Sequence, residues 1–427
     1  MFFATAVALE NGDDSLVDKL VPLSTLQAGS IEELCAAVRD AASQDFAVYP
    51  LGGRTMMDQG FLPARSGVNV DLRALTRIID YPARDMTITV QAGFTLATLQ
   101  ATLATENQRL PIDVPFPEQA TLGGAIATNT SGPRRYGFGT FRDYVIGMTT
   151  INDEGKETKA GGRVVKNVAG YDLCKLHIGA LGTLGIISQV TLKVKPRPEQ
   201  QAMLLLGCEE AALSGLLDEL HRSRTQPVCI EALNARCARH INQNLKLNLP
   251  SDPWVLAIGF EHASETVDWQ LDQLGKELAL QTLGKPIAVK AAEANPIWNA
   301  LTENRAHSEA SVVFKANVLP SATADFCRWL NAQSIQPSLQ AHAGNGIVTG
   351  RLAAGLELEP VQRFLQEALK IAQAVKGNIV LLRCPAAWKR TLPVWGAPRP
   401  DGWLMRAVKN KLDPRGIFNP GRFVEGI

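Results

Sequence analysis

The chain has 427 residues, of which 46% are hydrophobic and 20% are charged, and its formal net charge at pH 7 is +1. This length predicts roughly two to three domains, with a core large enough to need no disulfide or metal staple. The composition excludes a disordered or collagen-like chain. A net charge this small argues against affinity for nucleic acid or an anionic membrane that is driven by charge.

The first part of the chain alternates short strands, glycine-rich turns and helices. Ser30 is predicted to cap a helix over 31–42, and Thr95 is predicted to cap a second helix that ends near 106. Runs rich in β-branched residues predict strands at 46–49, 68–71, 78–80, 87–90, 143–152 and 185–195. The run Lys195-Pro196-Arg197-Pro198 then predicts a domain boundary.

Beyond this boundary glycine becomes rarer and the predicted helices become longer, at 209–222, 263–280 and 359–375. Between them lie strand-like runs at 203–206, 228–233, 255–260, 311–318, 346–351 and 379–383. This rhythm predicts an antiparallel sheet with helices on one face. The tail from Pro398 is basic and interrupted by Pro and Gly, and we expect it to pack on the first domain.

Cysteine spacing and hydropathy restrict the kinds of site and the compartment. The seven cysteines are scattered and form no Cys-x-x-Cys pair, which argues against a zinc or iron–sulfur site built by this chain alone. We therefore expect buried, free thiols. The apolar start lacks a basic segment, and the uncharged stretch 86–105 is rich in Thr and Gln, so no export signal or membrane span is predicted. We expect a cytoplasmic protein that meets a membrane only through its partners.

Three segments of the first part combine glycine with small hydroxyl residues, at 50–55, 117–132 and 179–186. Because glycine has no Cβ, the N–H groups of such segments can approach a phosphate and form an anion-binding concavity. A single Gly-Gly pair is usually an ordinary turn. Three such segments together predict a site for a cofactor that carries a pyrophosphate.

Two better-known nucleotide motifs and one RNA-binding motif do not fit. The chain has no G-x-x-x-x-G-K-[ST] loop, and Arg142 stands where the third glycine of a G-x-G-x-x-G motif beginning at Gly137 is needed. The stretch 135–141 approaches an RNA-binding aromatic motif, but Thr140 interrupts it and no second motif accompanies it.

Two further runs complete a recognisable pattern: GGRVVKNVAGYD at 161–172 and LDPRGIFNPGR at 412–422. With the glycine-rich segments they resemble the flavoproteins of the vanillyl-alcohol-oxidase type, which have a two-part, PCMH-type FAD-binding domain. The resemblance covers about residues 20–200 and the ending 412–422. Within that family the chain is most similar to the E-type FAD-binding subunits of bacterial glycolate oxidase (glycolate dehydrogenase).

The resemblance implies an α+β fold in three parts. A PCMH-type FAD-binding domain over 1–198 is followed by a cap domain of antiparallel sheet and helices over 199–397. The C-terminal segment 398–427 returns to the FAD domain.

It also implies a cofactor, FAD, and the parts of the chain that hold it. Segments 50–55 and 119–132 would hold the pyrophosphate, 179–187 would lie against the adenosine half, and Asn419 and Arg422 would approach the isoalloxazine. The implied cofactor-binding residues are Pro50, Leu51, Gly52, Gly53, Arg54, Thr55, Pro117, Gln119, Ala120, Thr121, Leu122, Gly123, Gly124, Ala127, Thr128, Asn129, Ser131, Gly132, Gly182, Thr183, Gly185, Ile186, Ile187, Asn419 and Arg422. Covalent family members often carry the linking histidine where this chain has Arg54-Thr55, so we expect non-covalent FAD.

The catalytic residues are not fixed by the sequence, which leaves Lys166, Arg422 and His342 as candidates. A cation such as Lys166 or Arg422 near flavin N1 and C2=O would stabilise the anionic reduced flavin, although either could equally pair with a carboxylate. Related 2-hydroxy-acid dehydrogenases have a histidine next to a Gly-Asp-Gly-Asn loop and a later Glu-His-Gly, which bind a metal and supply a base. Here only His342 and a loop with Asn345 at the aspartate position remain. We therefore expect no metal site, and His342 is also explained as a hydrogen-bonded core or loop residue.

Five residues of the second domain are candidates for binding a small carboxylate: Trp298, Arg305, Lys315, Arg351 and Arg383. Trp298 is also explained by packing. Arg383 is also explained as a charge that is satisfied elsewhere.

The resemblance implies a FAD-binding oxidoreductase subunit of a multi-subunit glycolate (2-hydroxy-acid) dehydrogenase. A paralogous catalytic FAD subunit and an iron–sulfur subunit would be its partners, with its own flavin acting as a relay or as a second active site. One alternative is a self-sufficient FAD-linked oxidase of another alcohol or hydroxy acid. The other is a flavin-free structural subunit, against which the three glycine-rich segments argue.

Overall fold

A computed structural model describes residues 22–163, 170–245, 249–250, 252–278, 283–306 and 310–427. The chain divides into two compact units. The first unit contains the described residues up to Thr130, together with Thr140–Arg197 and Pro398–Ile427. The second unit contains Ser131–Gly139 and Pro198–Ala397, so a short segment from inside the predicted range 1–198 belongs to it. The division into an FAD-binding domain over 1–198, a cap domain over 199–397 and a C-terminal segment over 398–427 stays a prediction.

The elements before residue 197 are short. In chain order they are β1 (Ser24–Gln27), α1 (Ile31–Ser43), β2 (Ala47–Leu51), β3 (Gly67–Asp71), β4 (Ile78–Asp80), β5 (Thr87–Gln91), α2 (Leu96–Ala104), β6 (Gln108–Arg109), α3 (Leu122–Ala127), α4 (Arg135–Phe138), α5 (Phe141–Tyr144), β7 (Val145–Ile151), β8 (Glu157–Gly161), α6 (Cys174–His177), β9 (Ile186–Lys193) and β10 (Lys195–Pro196). Of these, α4 lies in the second unit.

The first unit contains two principal sheets. Strands β1, β3 and β2 form a parallel sheet in that order, and β4-β5-β9-β7-β8 form an antiparallel one. Helix α1 buries its apolar stripe, including Leu34 and Val38, in a core shared with Val48 of β2 and Val68 of β3. Phe418 of the C-terminal segment lies in the same core and forms a parallel β-bridge to Val48.

The later elements are longer. They are β11 (Gln200–Cys208), α7 (Leu213–Arg222), β12 (Cys229–Asn234), α8 (Ala235–Leu245), β13 (Trp254–His262), α9 (Ser264–Leu278), β14 (Leu283–Lys290), α10 (Asn295–Glu303), β15 (Ala310–Asn317), α11 (Thr323–Asn331), β16 (Ser338–His342), β17 (Ile347–Ala353), α12 (Leu358–Ala374), β18 (Asn378–Arg383) and α13 (Gly402–Leu412). Helix α13 belongs to the first unit.

The second unit is built on one eight-stranded antiparallel sheet, in the order β14-β11-β13-β12-β16-β17-β15-β18. This confirms the predicted α+β class with an antiparallel sheet. The prediction that helices cover one face is wrong. On one face of the sheet, Trp298 of α10 packs with Leu233 and Val255. Phe314 of β15 points to the opposite face, where it makes an edge-to-face contact with Phe364 of α12. The sequence pattern revealed α12 but neither α8 nor α10.

Local signals explain where the elements begin. The side-chain oxygens of Ser30 and Thr95 accept the N–H of Glu33 and Thr98, as their predicted capping roles require. The predicted strand 143–152 instead begins at Val145, because Thr140 and Asp143 form a capping box that opens helix α5. Within the described residues no helix is both long and apolar enough to cross a membrane.

Candidate functional site

The first unit contains an open cavity with about 810 Å³ of empty space, within the usual range for a cofactor pocket. A smaller cavity of about 410 Å³ shares Pro50, Gly52, Thr121 and Asn419 with it, so the two form one crevice. Its walls come from the turn after β2, the start of α3, the segment before β9 and the C-terminal segment.

Most of the predicted cofactor-binding residues line this crevice. They are Pro50, Leu51, Gly52, Gly53, Arg54, Thr55, Ala120, Thr121, Gly123, Gly124, Ala127, Thr128, Gly182, Gly185, Ile186, Ile187, Asn419 and Arg422. Five others, all in the first unit, do not line it: Pro117, Gln119, Leu122, Asn129 and Thr183. Ser131 and Gly132 fall in the second unit.

The glycine-rich segments are held against each other by main-chain contact. A Cβ on Gly53 would lie 1.8 Å from the carbonyl oxygen of Gln119, and one on Gly52 would lie 2.2 Å from Oγ1 of Thr121. No side chain fits at either position. Because these glycines have no Cβ, the first glycine-rich segment can pack directly against the second. Part of the second segment, Leu122–Ala127, forms helix α3, and the side chain of Thr121 caps the start of this helix.

Several residues around the crevice have a left-handed backbone. Arg54, Leu181 and Asn419 all line it, with φ values of 59°, 50° and 43°. This conformation is unfavourable for residues other than glycine and clusters where a ligand site constrains the chain. Arg54 is also fixed by an ion pair at 3.1 Å to the buried carboxylate of Asp71.

The C-terminal segment closes one wall of the crevice. Asn419 donates its side-chain N–H to the carbonyl of Leu181 at 2.6 Å, and its backbone N–H to Val48. Arg422 is buried and donates to the carbonyls of Met57 and Gln59 at 2.8 and 2.6 Å. Both predicted residues therefore tie the segment to neighbouring turns while lining the cavity.

A buried ion pair connects the segment before β9 to the C-terminal segment. The Lys409 ammonium donates to the carboxylate of Asp413 at 2.6 Å and to the carbonyls of Thr183 and Phe418 at 2.7 and 3.0 Å. Asp413 in turn accepts the backbone N–H groups of Ile417 and Phe418. Burial lowers the pKa of Lys409, opposed by the charge of Asp413.

Three further crevice residues lie within the predicted segments 119–132 and 179–187 but were not named individually: Ala125, Thr130 and Leu181. Residues outside the predicted segments also line the crevice: Met56, Met57, Gln59, Leu72, Ala92, Val114 and Pro115. Met56 and Met57 directly follow the predicted segment 50–55, and Leu181 lies between Gly179 and Gly182, two glycines with positive φ. Adjacency to the glycine-rich segments is the signal that could have revealed them.

The second unit presents a polar face on its sheet. Residues paired across antiparallel strands point to the same face, so the register puts Gln340, Thr349 and Lys315 in one row. The row beside it contains Glu231 and His342. Because Arg351 pairs with Val313 two positions before Lys315, it lies on this face as well.

Lys315 lies among like charges. Burial and the positive charges of Arg305 and Arg135 lower the pKa of the Lys315 ammonium to about 8. Within the described part of the chain no carboxylate forms an ion pair with Lys315. A cationic group surrounded in this way fits an anionic ligand, since an anion would offset the mutual repulsion.

Trp298, Arg351, Arg383 and His342, which were predicted to bind a carboxylate or to act in catalysis, are each held by other groups of the protein. Trp298 is 1% exposed and packs in the core, with the Arg134 guanidinium 3.9 Å from its ring centre. Arg351 donates to Oγ of Ser338, and Arg383 donates to the carbonyl of Ala306. His342 is bound to Glu231 at 2.5 Å.

The remaining predictions concern Lys166, metal ligands and thiols. Lys166 lies outside the described residues. In the ranges that the structure covers, no group of three or more His, Cys, Asp or Glu side chains is arranged to hold a metal ion. All seven cysteines are free thiols, six of them buried and Cys35 half-buried.

Two family models match the chain. The model described as FAD binding domain matches residues 22–161, and the model described as FAD linked oxidases, C-terminal domain, matches residues 195–380 and 400–423. The chain belongs to the FAD-linked oxidases. It is therefore an oxidoreductase with FAD as its cofactor, and the second match includes the C-terminal segment that lines the crevice.

Individual relatives agree with this assignment. The chain is 26% identical to glycolate oxidase subunit GlcD of Bacillus subtilis (strain 168), over 97% of this chain and 94% of the relative. It is 37% identical to glycolate oxidase subunit GlcE of Escherichia coli (strain K12), over 39% of this chain and 47% of that protein. It is also 37% identical to D-2-hydroxyglutarate dehydrogenase of Xanthomonas citri, over 43% of this chain and 39% of that protein. In fold it is similar to alkyldihydroxyacetonephosphate synthase, with a TM-score of 0.65 over 94% of this chain at 19% identity.

The crevice fits FAD in its chemistry. Small residues and main chain form one wall, as the approach of a pyrophosphate requires, and Arg54 and Arg422 bring positive charge to it. Val114, Pro115 and Leu181 provide apolar surface for aromatic rings. Between the cavity-lining Thr128 and Thr130, Oδ1 of Asn129 is buried without a hydrogen-bond partner in the described structure.

Proposed function

We propose that the chain is the FAD-binding subunit of a multi-subunit 2-hydroxy-acid dehydrogenase of the glycolate oxidase kind. The cationic group around Lys315 carries the proposal, because it supplies a carboxylate-binding surface in a chain whose other unit binds FAD. The names of the relatives, glycolate oxidase subunits and a D-2-hydroxyglutarate dehydrogenase, support the same substrate class.

In this proposal the first unit holds FAD non-covalently. Segment 50–55 and residues 120–128 contact the pyrophosphate, residues 182–187 contact the adenosine half, and Asn419 and Arg422 contact the isoalloxazine. FAD supplies a two-electron acceptor. The protein contributes the shape of the crevice, the charge of Arg422 and the fixed turns that keep the ring system in place.

The second unit binds the substrate carboxylate. Burial, together with the charges of Arg305 and Arg135, lowers the pKa of Lys315 to about 8, so part of the population is neutral near pH 8 and a bound carboxylate favours the charged ammonium. This favours anionic hydroxy acids over neutral alcohols. Trp298 is not part of this surface, because it packs in the core.

Electrons leave through a partner in this proposal. The chain has no closely spaced cysteines that could hold an iron–sulfur cluster, so an iron–sulfur subunit would supply that centre. The resemblance of one chain to both GlcD and GlcE supports an assembly with a paralogous FAD subunit.

The test is a visible spectrum of the purified chain, followed by anaerobic titration with glycolate, D-lactate and D-2-hydroxyglutarate. We expect the bands of oxidised flavin, released by denaturation, and bleaching by at least one of the three acids. Lys315→Met is expected to weaken acid binding at least tenfold, whereas Lys290→Met, at an exposed lysine paired with Asp268, should not. A flavin that only the co-expressed partners reduce would restrict this chain to a relay. A folded chain that takes up no FAD would refute the proposal.

A further inference from the structure

The second unit also contains a groove between helix α7 and the turn that leads into α11, with about 700 Å³ of empty space. Leu217 and Ala324 are buried and form its apolar floor, whereas Leu319 is 49% exposed at its rim. Its described lining residues include none of the group around Lys315. The proposed oxidation of a hydroxy acid therefore leaves this groove without a role.

Polar side chains from α7 converge on the groove. Ser214, Asp218 and His221 all line it and follow each other at spacings of four and three positions, which puts them on one face of the helix. Ser321 lines it from the turn before α11. Residues three apart on a helix have Cβ atoms about 5–6 Å apart, so one small ion can contact both the carboxylate and the imidazole. Carboxylate and histidine ligands at this spacing bind metals in helical di-iron proteins.

A hydrogen bond to the helix fixes the ring of His221. Its Nδ1 lies 2.6 Å from the carbonyl oxygen of Leu217. Because a carbonyl oxygen can only accept, Nδ1 is the donor, and Nε2 is the nitrogen that can bind a ligand. Metal-binding histidines are usually oriented by such a bond from the other ring nitrogen. A metal ion displaces any proton from Nε2, so both charge states of the ring lead to the same complex.

The carboxylate of Asp218 has no cation of its own. Within the described part of the chain it forms no ion pair. Arg222, one helical turn further on, pairs with Glu219 at 3.9 Å instead. An ion that enters the groove therefore meets an exposed negative charge for which no basic side chain competes.

The donor set indicates the class of metal. One imidazole nitrogen and one carboxylate oxygen suit Zn²⁺, whereas Mg²⁺ and Ca²⁺ prefer oxygen ligands alone. Two protein ligands leave the remaining positions to water, and the hydroxyls of Ser214 and Ser321 can hydrogen-bond to that water. A groove of this volume has room for the hydrated ion.

We propose that Asp218 and His221 bind a divalent transition-metal ion, Zn²⁺ in the first place, at an open site in this groove. The site is separate from the oxidation of a hydroxy acid and does not rest on the proposed function. Both ligands lie in the second half of α7, so a bound ion joins two of its side chains and stabilises the folded second unit.

The first test is calorimetric titration of ZnCl₂ into FAD-loaded protein that has been stripped of metal with EDTA and dialysed. We expect a saturable site of one ion per chain, which His221→Gln and Asp218→Asn each weaken at least tenfold and Asp218→Glu changes only a few fold. The controls His262→Gln and Asp272→Asn, at an exposed histidine and an exposed aspartate of the same unit, should leave it unchanged. Mg²⁺ in tenfold excess should not displace the zinc.

The second test follows the ring itself. Protein labelled with ¹⁵N in its six histidines shows one resonance pair that His221→Gln removes. Zinc should shift the Nε2 signal of that pair and leave Nδ1 protonated. At about 100 times Kd, zinc should also raise the melting temperature by roughly 5–11 °C, and this shift should be absent in His221→Gln.

Two results would overturn the proposal. One is equal zinc affinity in the wild type, His221→Gln and Asp218→Asn. The other is a zinc-induced shift of Nδ1 in place of Nε2, because the bond to the helix would then be broken. If circular dichroism shows that His221→Gln is misfolded, His221→Asn and Asp218→Asn decide the question. Reduction of the flavin by hydroxy acids is measured separately, so either proposal can fail alone.

Discussion

The buried pair of Lys409 and Asp413 allows a quantitative test of how the first unit holds its cofactor crevice. The Lys409 side chain is 9% exposed and that of Asp413 is fully buried. The pair spans the two walls, because Lys409 binds the carbonyls of Thr183 and Phe418, which adjoin Gly182 and Asn419. Lys409→Met removes the cation and leaves the carboxylate of Asp413 buried with only its two backbone N–H partners.

The expected cost follows from the loss of one partner of a buried ion pair, about 3–5 kcal/mol. For a unit of this size a change of 1 kcal/mol moves the melting temperature by about 2–4 °C, so Lys409→Met should lower it by roughly 6–20 °C. Replacing both residues removes both charges, and the double variant Lys409→Met/Asp413→Leu should therefore lose less stability than the single variant. FAD affinity should fall at least tenfold in the single variant, because both walls of the crevice lose an anchor.

Thermal unfolding followed by circular dichroism and by release of flavin fluorescence measures both quantities. Lys411→Met, at an exposed lysine two positions along α13, is the matched control and should change neither. A Lys409→Met protein that melts within about 2 °C of the wild type would show that the pair contributes little. A single variant with normal stability and weak FAD binding would show that the pair acts on the crevice alone.

Two further changes test the crevice and the polar face. Gly53→Ala should abolish FAD binding, because its Cβ would meet the carbonyl of Gln119 at 1.8 Å, while Gly162→Ala, which points into open space, should bind FAD normally in the same absorbance assay. Glycolate affinity measured by calorimetry should be constant well below pH 8 and fall as pH rises through 8, because an anion favours the protonated form of Lys315, whose pKa lies at about 8. Lys315→Met should bind weakly with a flat pH profile, and a steep profile in that variant would contradict the assignment.

The cofactor half of the molecule was largely predictable from its sequence. Its binding surface consists of main chain and small residues, and the glycines that permit this are visible as clusters. The sequence indicated where these segments lie but not what the glycines do. The missing Cβ of Gly53 admits the carbonyl of Gln119, so this glycine joins two parts of the protein. Asp413 lies in the run LDPRGIFNPGR, but its buried pairing with Lys409 gave no signal, because a helical i,i+4 pair is usually an exposed one.

The second unit was less predictable because its chemistry depends on strand register. Glu231 and His342 are separated by 111 positions, and only the pairing of β12 with β16 makes them neighbours. The sequence pattern revealed β12 but not β16, so Glu231 could not be associated with the histidine. The start of α10 has no side-chain cap that would mark it. The cap of α8 was overlooked: Oδ1 of Asn234, which directly follows the predicted strand 228–233, accepts the N–H of Cys237.

This separation of roles makes the question of relay or catalyst experimentally tractable. The crevice residues belong to the first unit, and Lys315 belongs to the second, so Lys315→Met is expected to retain FAD. In Lys315→Met the loss of the carboxylate-binding cation slows reduction by a hydroxy acid, but it leaves intact any exchange of electrons between the flavin and a partner. If reduced partner subunits still bleach this variant at the wild-type rate, electron transfer and substrate oxidation are separate functions of one chain. If both processes fail together while FAD remains bound, the polar face itself serves the partner.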